Sequence, residues 1–360
     1  MSEKKSVYRI FSINPGSTST KVAVFDNTKL VASKTDRYEK SELAKFNRIL
    51  DQSEFRLNQI ISWLDEQGIA LESIDAFVGR GGILKPMESG VYEVNDTMLA
   101  DLHVGRAALH ASALGGIFAY ELGRKYSKPA YIVDPVVVDE RPMIAKVSGI
   151  PGTERGCVFH ALNQRSVAHH YAEEHGKKYE DCCLLVAHLG GGITVGAHKY
   201  GKIVDVNDAI DGEGPFTPER CGSIQVDKIV ELCFSGKYSK SDVMAFASKS
   251  GGLSALLNTT DCIEVEKRIE GGDEYAKLVY EAMIYNVAKQ IGAMAAVLEG
   301  KAEAIILTGG LAYSKMITEK LKSMVSFIAP VEVYPGENEL LALAEGALRA
   351  IRGEEKVKVY

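Results

Sequence analysis

Tyr8-Arg-Ile-Phe-Ser-Ile13 is followed by Asn14-Pro-Gly-Ser-Thr-Ser-Thr-Lys21 and Val22-Ala-Val-Phe25, and these residues carry the strongest fold signal in the chain. Its apolar segments flank a run of small and hydroxyl-bearing residues, which predicts two strands joined by a tight polar turn. Asp26-Asn27 predicts a second turn, and Leu30-Val-Ala-Ser33 predicts a third strand. The chain therefore opens with a three-stranded meander whose first turn is rich in hydrogen-bond donors.

The same pattern returns at an offset of about 174 residues. Leu184-Leu-Val-Ala187 leads into His188-Leu-Gly-Gly-Gly192, which is followed by Ile193-Thr-Val195 and, after a turn, by Ile203-Val-Asp-Val206. Asn14 matches His188 in this alignment of the chain with itself. Two strand–turn–strand units, each opening one half of the chain, predict a duplicated architecture.

Further strands and helices fill the space between these hairpins. Short apolar runs predict strands at 76–78, 130–133 and 304–307, which end at Gly79-Arg80, at Asp134 and at Thr308-Gly-Gly310. Apolar residues at helical spacing predict helices over 55–67 and 275–298. Composition predicts two more, over 102–122, interrupted by Gly115-Gly116, and over 339–351. In chain order, the 102–122 helix is the second of the four and the 275–298 helix is the third. His110 falls inside the second of these helices, and Leu278 and Tyr285 lie on one face of the third.

Composition narrows the class of protein. The chain has 360 residues, 46% of them hydrophobic and 25% charged, which is typical of a soluble globular protein of two domains. No apolar run is long enough to cross a bilayer, and the N-terminus lacks the features of a secretory signal. The net charge of −6 argues against nucleic acid as the main partner. Six cysteines without a CxxC pair indicate reduced thiols and a cytoplasmic location.

Three strand ends carry small or glycine-rich turns, at residues 14–21, 188–192 and 308–310. Glycine allows backbone N–H groups to approach an anion closely, and the hydroxyls of Ser17, Thr18 and Ser19 add donors. Neither a GxGxxG dinucleotide fingerprint nor a Walker loop occurs, and protein-kinase signatures are missing. The sequence therefore predicts a nucleoside triphosphate site built from β-hairpin turns.

These motifs resemble those of the acetate kinase family, in order as well as in content. The run Asn14–Lys21 is similar to the opening signature of that family. His188–Gly192 resembles its second phosphate loop, and Leu307–Gly310 its adenosine loop. Val78-Gly-Arg80-Gly-Gly82 and Phe159-His160 resemble its active-site segments. The resemblance implies an α/β, duplicated, ribonuclease-H-like two-domain fold of the actin, Hsp70 and sugar-kinase type, with mixed sheets flanked by helices.

Two segments are similar to the butyrate-kinase branch of the family, namely Val133-Asp-Pro-Val-Val-Val-Asp-Glu140 and Gly214-Pro-Phe-Thr-Pro-Glu-Arg-Cys-Gly222. The chain also departs from the acetate kinase pattern. Gly191 stands where that pattern has Asn, and Gln164 replaces a second histidine. The region of the later active-site arginine is shortened, so Arg220 is the candidate for that role.

The resemblance implies a role for each matching residue. Arg80 would clamp a carboxylate or phosphate, His160 would donate to the transferring phosphoryl, and His110 and Arg220 would complete the catalytic set. Asp134 is the fifth catalytic candidate. A carboxylic acid substrate is already ionised at neutral pH, so we expect Asp134 to orient other groups rather than to act as a base.

Nucleotide and metal sites follow in the same way. The expected cofactors are ATP or ADP and Mg²⁺. Asn14 and Glu339 are the expected metal-side residues, with Glu337 as the alternative to Glu339, because Mg²⁺ prefers oxygen ligands. The residues implied to bind the nucleotide are Asn14, Gly16, Ser17, Thr18, Ser19, Lys21, His188, Gly190, Gly191, Gly192, Thr308, Gly309 and Gly310.

The expected activity is reversible transfer of phosphoryl from ATP to a short-chain fatty acid, butanoate, giving butanoyl phosphate and ADP by direct in-line transfer. Alternatives are another short or branched acid such as acetate, propionate or isobutyrate, a phosphoenzyme route, or a nucleotide-switched interaction protein of the actin and Hsp70 type. We expect an N-terminal domain of residues 1–155 with 341–360 and a nucleotide-binding domain of residues 156–340. We expect no nucleic-acid or membrane partner, and a homodimer or higher homo-oligomer through the 275–298 helix.

Overall fold

The computed structural model describes residues 5–105 and 110–360. The chain divides into two compact units. The N-terminal unit runs to Val138 and is joined by Asn338–Tyr360, and the C-terminal unit is Asp139–Glu337. Within the described residues, no helix combines the length and the apolar character that a membrane span requires. The six cysteines are free thiols.

The N-terminal unit is built on a mixed sheet. Its described strands are β1 (Arg9–Pro15), β2 (Ser19–Asp26), β3 (Lys29–Arg37), β4 (Ala76–Gly79), β5 (Val91–Glu93) and β6 (Ala130–Val133). They lie in the order β3-β2-β1-β4-β6-β5. β1, β2 and β3 form an antiparallel meander, whereas β1, β4 and β6 are parallel neighbours. Every residue of β4 and β6 is buried, as expected for central strands of a covered parallel sheet.

The sheet of the C-terminal unit repeats this plan. Its strands are β7 (Cys183–Leu189), β8 (Ile193–Lys199), β9 (Lys202–Val206), β10 (Ala304–Gly309) and β11 (Val331–Pro335), in the order β11-β10-β7-β8-β9. β7, β8 and β9 form an antiparallel meander, and β7, β10 and β11 are parallel. β7 and β8 begin about 174 residues after β1 and β2. The predicted duplication and fold class are therefore confirmed.

Helices cover both sheets. They are α1 (Lys40–Leu43), α2 (Ser53–Glu66), α3 (Asp96–Val104), α4 (Ala113–Tyr126), α5 (Met143–Lys146), α6 (Ala161–Glu174), α7 (Val226–Phe234), α8 (Lys240–Ser248), α9 (Gly252–Leu257), α10 (Cys262–Glu270), α11 (Glu274–Val297), α12 (Lys315–Val325) and α13 (Glu339–Arg352). Short 3₁₀ helices occupy Ile49–Gln52, Leu71–Ser73, Tyr179–Asp181 and Gly310–Tyr313. The helices predicted over 55–67, 275–298 and 339–351 are present as α2, α11 and α13.

The helix predicted over 102–122 is wrong. α3 ends at Val104 because Gly105 adopts the left-handed conformation, with φ of 61°, and its N–H closes the last turn on the Asp101 carbonyl. Residues 106–109 lie outside the described residues. α4 begins only at Ala113, so His110 belongs to the turn that precedes a helix.

α11 packs on the C-terminal sheet with a face other than the one singled out from the sequence. Val279, Met283 and Ile291 are buried against the core. Leu278 and Tyr285 are 64% and 54% exposed. Both stripes have helical spacing, and packing against the sheet decided which of them is buried.

Candidate active site

In the N-terminal unit, three predicted residues meet at the carboxyl ends of β1 and β4. The Asn14 amide donates to Oε2 of Glu339 over 2.5 Å. Arg80 forms an ion pair with the other oxygen, Oε1, of the same carboxylate. Asn14 and Glu339 are separated by 325 residues in sequence, and α13 brings them together by packing on β1 and β4. The structure thus joins Asn14, Arg80 and Glu339 into one cluster.

Close packing of backbone positions Arg80. The Arg80 N–H donates to the Ile13 carbonyl over 3.0 Å, which continues the pairing of β4 with β1 beyond the end of the strand. A Cβ on Gly79 would lie 1.9 Å from the Gly115 carbonyl oxygen, and one on Gly115 would lie 2.6 Å from Arg80 N. Gly79 and Gly115 therefore let the start of α4 lie directly against the residue that carries the guanidinium.

The Arg80 guanidinium has donor capacity that the protein does not use. Its side chain is 13% exposed, and Nη1 is taken by Glu339. Nε is buried and has no hydrogen-bond partner among the described residues. An orphaned buried donor is costly, about 1–3 kcal/mol, unless a ligand satisfies it. Arg80 is therefore suited to bind an anion.

A buried arginine supports the predicted first phosphate turn from below. Arg56, on α2, is fully buried and donates from Nη1 to the carbonyl oxygens of Gly16 (2.8 Å) and Ser19 (3.2 Å). Nη2 donates to the Ser17 carbonyl over 3.1 Å. Burial lowers the pKa of Arg56. Three carbonyl groups of the turn are therefore directed at Arg56. Ser17 and Thr18, in the same turn, are exposed.

His110 precedes α4 and carries a defined tautomer. Its Nδ1 accepts from the Ser112 N–H over 3.2 Å. The neutral ring therefore bears its proton on Nε2. Although His110 keeps an exposed edge, the packing around its ring and, secondarily, the positive charge of Arg80 lower its pKa. At neutral pH His110 is an uncharged donor within the electrostatic range of Arg80.

Asp134 follows β6 and is buried, with a backbone φ of 39°. Its Oδ1 accepts from the Gly90 N–H over 2.7 Å, and its own N–H donates to the Gly90 carbonyl over 3.1 Å. A non-glycine residue in the left-handed region is strained by about 1 kcal/mol or more and persists where surrounding contacts demand it. One carboxylate oxygen of Asp134 thus serves to hold the loop at Gly90.

In the C-terminal unit, two predicted histidines lie together. The His160 ring, at the N-terminus of α6, stacks on that of His188, at the end of β7. The Asn163 amide nitrogen donates to the Glu337 carbonyl over 3.1 Å, so its oxygen accepts from His188 Nδ1 over 2.6 Å. His188 therefore carries a proton on Nδ1 and directs Nε2 towards the Glu337 carboxylate, 3.6 Å away.

Arg220 lies against the predicted second phosphate turn, residues 188–192. A Cβ on Gly192 would come within 2.0 Å of Arg220 Nη1, so the guanidinium occupies the space over this glycine. Arg220 donates from Nη1 to the Ala209 carbonyl over 2.7 Å. The Thr217 hydroxyl donates to the Gly191 carbonyl over 2.6 Å and accepts from the Arg220 N–H over 3.0 Å. Burial lowers the pKa of Arg220.

The third turn, Thr308–Gly310, follows β10, the parallel neighbour of β7. Gly309 and Gly336 exchange backbone hydrogen bonds of 3.1 and 3.0 Å, and the Thr308 hydroxyl donates to the Gly336 carbonyl over 3.1 Å. A side chain at Gly310 would meet no atom within 4 Å. The open side of Gly310 is the part of this turn that a ligand can approach.

The two candidate metal-side glutamates lie in different units. Glu339 accompanies Asn14 and Arg80 in the N-terminal unit, whereas Glu337 is near His188 in the C-terminal unit. Within residues 5–105 and 110–360 there is no group of three or more His, Cys, Asp or Glu side chains that could hold a metal ion. Asn14 and Glu339 supply oxygen donors that suit Mg²⁺, but they would need phosphate or water to complete its coordination.

Arg56, Asn163 and Thr194 were not predicted from the sequence. Arg56 could have been found, because it precedes Ile60 by four residues and Trp63 by seven on the apolar face of α2, where a charge requires a partner. Asn163 and Thr194 carry no such signal. Their importance comes from contacts with His188 and His160 that only the folded chain makes.

The chain matches a known family model and is similar in fold to solved structures. A model of the Acetokinase family matches residues 153–342. An acetate kinase from Porphyromonas gingivalis superposes with a TM-score of 0.78 at 19% identity, covering 94% of this chain and 99% of that one. A propionate kinase from Francisella tularensis subsp. tularensis SCHU S4 gives 0.75 at 18%, covering 94% and 98%.

A more distant likeness extends to sugar kinases. A ROK hexokinase from Thermus thermophilus superposes with a TM-score of 0.50 at 14% identity, covering 96% of this chain and 99% of that one. At these identities each solved structure is similar to the chain in fold.

Proposed function

The chain belongs to the Acetokinase family, and on that premise we propose that it transfers the γ-phosphoryl group of ATP reversibly to the carboxylate of butanoate. Membership makes it a phosphotransferase with a carboxyl group as acceptor. The preference for butanoate is our own inference from the segments at 133–140 and 214–222.

The proposal rests mainly on the unsatisfied hydrogen-bond donor of Arg80. Its guanidinium is held beside the first phosphate turn by Glu339, yet its buried Nε lacks a partner among the described residues. Both the acid and the phosphoryl group are anions, and a guanidinium binds such groups through parallel N–H donors. We assign Arg80 to the carboxylate and the transferring phosphoryl.

The chemistry requires charge stabilisation and no proton transfer. A carboxylate oxygen bonds to the γ-phosphorus while the bond from that phosphorus to the β–γ bridging oxygen breaks, and the electron pair stays on ADP. Because no proton is abstracted, a general base is unnecessary. We therefore assign Asp134 an orienting role, which agrees with the hydrogen bond that it accepts from Gly90.

Developing charge on the phosphoryl oxygens calls for aligned donors. In the C-terminal unit we assign this task to His160 and Arg220, with the N–H groups of Gly190, Gly191 and Gly192. In the N-terminal unit we assign it to the turn that contains Gly16, Ser17, Thr18, Ser19 and Lys21. His110, neutral because its pKa is lowered, would donate from Nε2.

When bound, Mg²⁺ would neutralise charge on the nucleotide phosphates. Asn14 and Glu339 are the residues we propose to hold it, through their oxygen atoms and water. Arg80 remains paired with the same glutamate, which holds that carboxylate in place.

A hydroxylamine-trap assay tests the proposal. Purified protein with ATP and Mg²⁺ is offered acetate, propionate, butyrate, isobutyrate and valerate, with a no-acid control. We expect the hydroxamate yield to be highest with butyrate. A maximum at acetate or propionate would overturn the butanoate preference and leave the carboxylate kinase activity standing. ATP binding without hydroxamate from any acid would overturn the proposal in favour of a nucleotide-switched protein.

We also propose a homodimer that uses the exposed stripe of α11. Tyr275, Leu278 and Tyr285 are each more than half exposed on this helix. Analytical ultracentrifugation should give twice the monomer mass for the native chain and the monomer mass for Leu278→Asp combined with Tyr285→Asp. A native monomer at micromolar concentration contradicts this.

A further inference from the structure

A buried row of polar side chains leads from the interior of the C-terminal unit to His160. Tyr179 contacts His198 (2.8 Å), His198 contacts Gln164 (3.1 Å), Gln164 contacts the Thr194 hydroxyl (2.9 Å), and that hydroxyl contacts His160 Nδ1 (2.9 Å). Gln164, Thr194 and His198 are completely buried. Every hydrogen in this row therefore has to point at an acceptor within the row or its backbone.

Gln164 determines which group donates and which accepts in each hydrogen bond of this row. Its Nε2 lies 3.2 Å from the Thr194 main-chain oxygen, and a carbonyl oxygen can only accept, so the NH₂ group of Gln164 is on that side. Oε1 therefore faces His198 and must accept from Nε2–H of that ring. Burial, and secondarily the charge of Arg165, lower the pKa of His198 to about 3, so the ring is neutral and its bare Nδ1 accepts from the Tyr179 hydroxyl.

The same donor-to-acceptor order extends from Gln164 through Thr194 to His160. The Gln164 NH₂ group also donates to Thr194 Oγ1, which leaves the hydroxyl hydrogen of Thr194 to be donated elsewhere. Among the described residues, the acceptor within reach of that hydrogen is His160 Nδ1. If Nδ1 carried the proton instead, the buried Thr194 O–H would have no acceptor, at a cost of about 1–3 kcal/mol.

We propose that Thr194, oriented by Gln164, is a positioning residue that holds His160 as the neutral Nε2–H tautomer. The inference rests on the proposed function for its consequence, because Nε2–H is then the atom of His160 that donates to the transferring phosphoryl. β8 supports this geometry, since Thr194 pairs with His188 across the β7–β8 ladder and so lies beside the ring on which His160 stacks.

The first experiment measures the tautomer itself and needs no turnover. Ring ¹⁵N-labelled histidine is incorporated, and two-bond proton–nitrogen correlation spectra are recorded at neutral pH, with His160→Gln used only to assign the His160 signals. We expect an unprotonated Nδ1 and a protonated Nε2 in the native protein and in Thr194→Ser. Thr194→Val should give a mixture of tautomers. A protonated Nδ1 in the native protein, or an unchanged tautomer in Thr194→Val, overturns the inference.

The second experiment measures phosphoryl transfer to the best acid. Thr194→Val should lower kcat on the order of 10-fold, less than complete loss of a donor, with little change in KM for ATP. Thr194→Ser should restore kcat. Thr318→Val is the matched control, because it removes a threonine hydroxyl bonded to the Ser314 carbonyl in the same unit. If the tautomer of His160 changed while kcat stayed the same, donation from His160 Nε2–H to the transferring phosphoryl would be ruled out as a contribution to the rate.

A second variant guards against poor folding. Gln164→Met removes the amide that donates to the Thr194 hydroxyl while leaving that hydroxyl in place, so it should also give mixed tautomers. If the spectra are as expected but no acid is phosphorylated, the hydrogen-bond direction stands and the proposed function fails. The two conclusions are therefore separable.

Discussion

The imidazole rings of His160 and His188 are stacked, with ring centroids 3.8 Å apart and planes inclined by 10°. Two positive charges at this separation repel, so the stack disfavours a state in which both rings carry a charge. Asn163 binds His188 through Nδ1 and Thr194 binds His160 through Nδ1. The stack thus presents the Nε2 atoms of both rings, each with its orientation set by a different buried neighbour.

Replacement of His160 should therefore affect catalysis more than replacement of His188. We expect His160→Asn to lower kcat about 100-fold or more, as for loss of a donor to a developing oxyanion. His188→Asn loses the hydrogen bond to Asn163 and should lower Tm as well as kcat. Steady-state kinetics and thermal unfolding separate the two effects. Equal kcat for both variants at unchanged Tm would contradict the distinction.

Arg80→Lys keeps the charge but loses the planar fork of donors. We expect kcat/KM for the acid to fall by about 10²–10³ in both Arg80→Lys and Arg80→Met, because the bidentate geometry is lost in each. Glu339→Gln, which removes the carboxylate that holds Arg80, should raise the Mg²⁺ concentration needed for half-maximal rate. Initial rates over a matrix of acid and Mg²⁺ concentrations measure both. Full activity of Arg80→Lys would mean that charge alone matters there.

Arg56→Met should destabilise the N-terminal unit and weaken nucleotide binding. The change leaves the carbonyls of Gly16, Ser17 and Ser19 without their donor, at a cost of about 3–5 kcal/mol. Thermal unfolding and KM for ATP are the readouts. Arg48→Met in the same unit is the control, because the Arg48 side chain is 67% exposed and pairs with Asp51 at the surface. Equal effects of the two changes would refute the role of Arg56.

Gly192→Ala tests Arg220 without altering its charge. The new methyl group would overlap Nη1 of Arg220, so the guanidinium has to move away from the glycine turn. We expect a fall in kcat similar to that of Arg220→Met. Gly292→Ala, on α11 in the same unit, is the control, since its methyl would meet no atom within 4 Å. If Gly192→Ala were as active as Gly292→Ala, Arg220 would not act from its present position.

His198 should not titrate in the physiological range. Burial lowers its pKa to about 3 in the folded chain, against about 6.5 when unfolded. Between these values the unfolded chain binds one more proton, so this ring's stabilisation is complete above pH 6.5 and is lost as pH falls towards 3. The loss approaches ~1.4 kcal/mol per pH unit.

NMR of the His198 ring signals from pH 8 to pH 5 tests this prediction. We expect its shifts to remain constant, with His170, 54% exposed on α6, as the reference for a solvent-accessible ring. Denaturant unfolding at pH 7.5 and pH 5.5 checks the sign, and the lower pH should give the smaller unfolding free energy. A His198 ring that protonates near pH 6 would contradict the assigned direction of the row that ends at His160.

Local pattern was enough to establish the architecture. Strand alternation, the glycine turns and the offset of about 174 residues depend on neighbouring residues, so β1–β3 and β7–β9 were readable as two hairpin repeats. The same holds for α2 and α11, whose apolar spacing is local, and for α13, whose composition is local. The break between α3 and α4 could not be predicted in this way, because a glycine can lie within a helix as well as end one.

The duplicated fold, the three turns and the residue types at each strand end could all be predicted from local sequence. Which of those residues meet depends on how distant segments pack together. Glu339 joins Asn14 across 325 residues because α13 packs on β1. Arg56 supports the first turn because α2 buries it, and the His160 tautomer depends on a hydroxyl of β8. Contacts of this kind arise from packing between distant segments, and no periodicity along the chain encodes them.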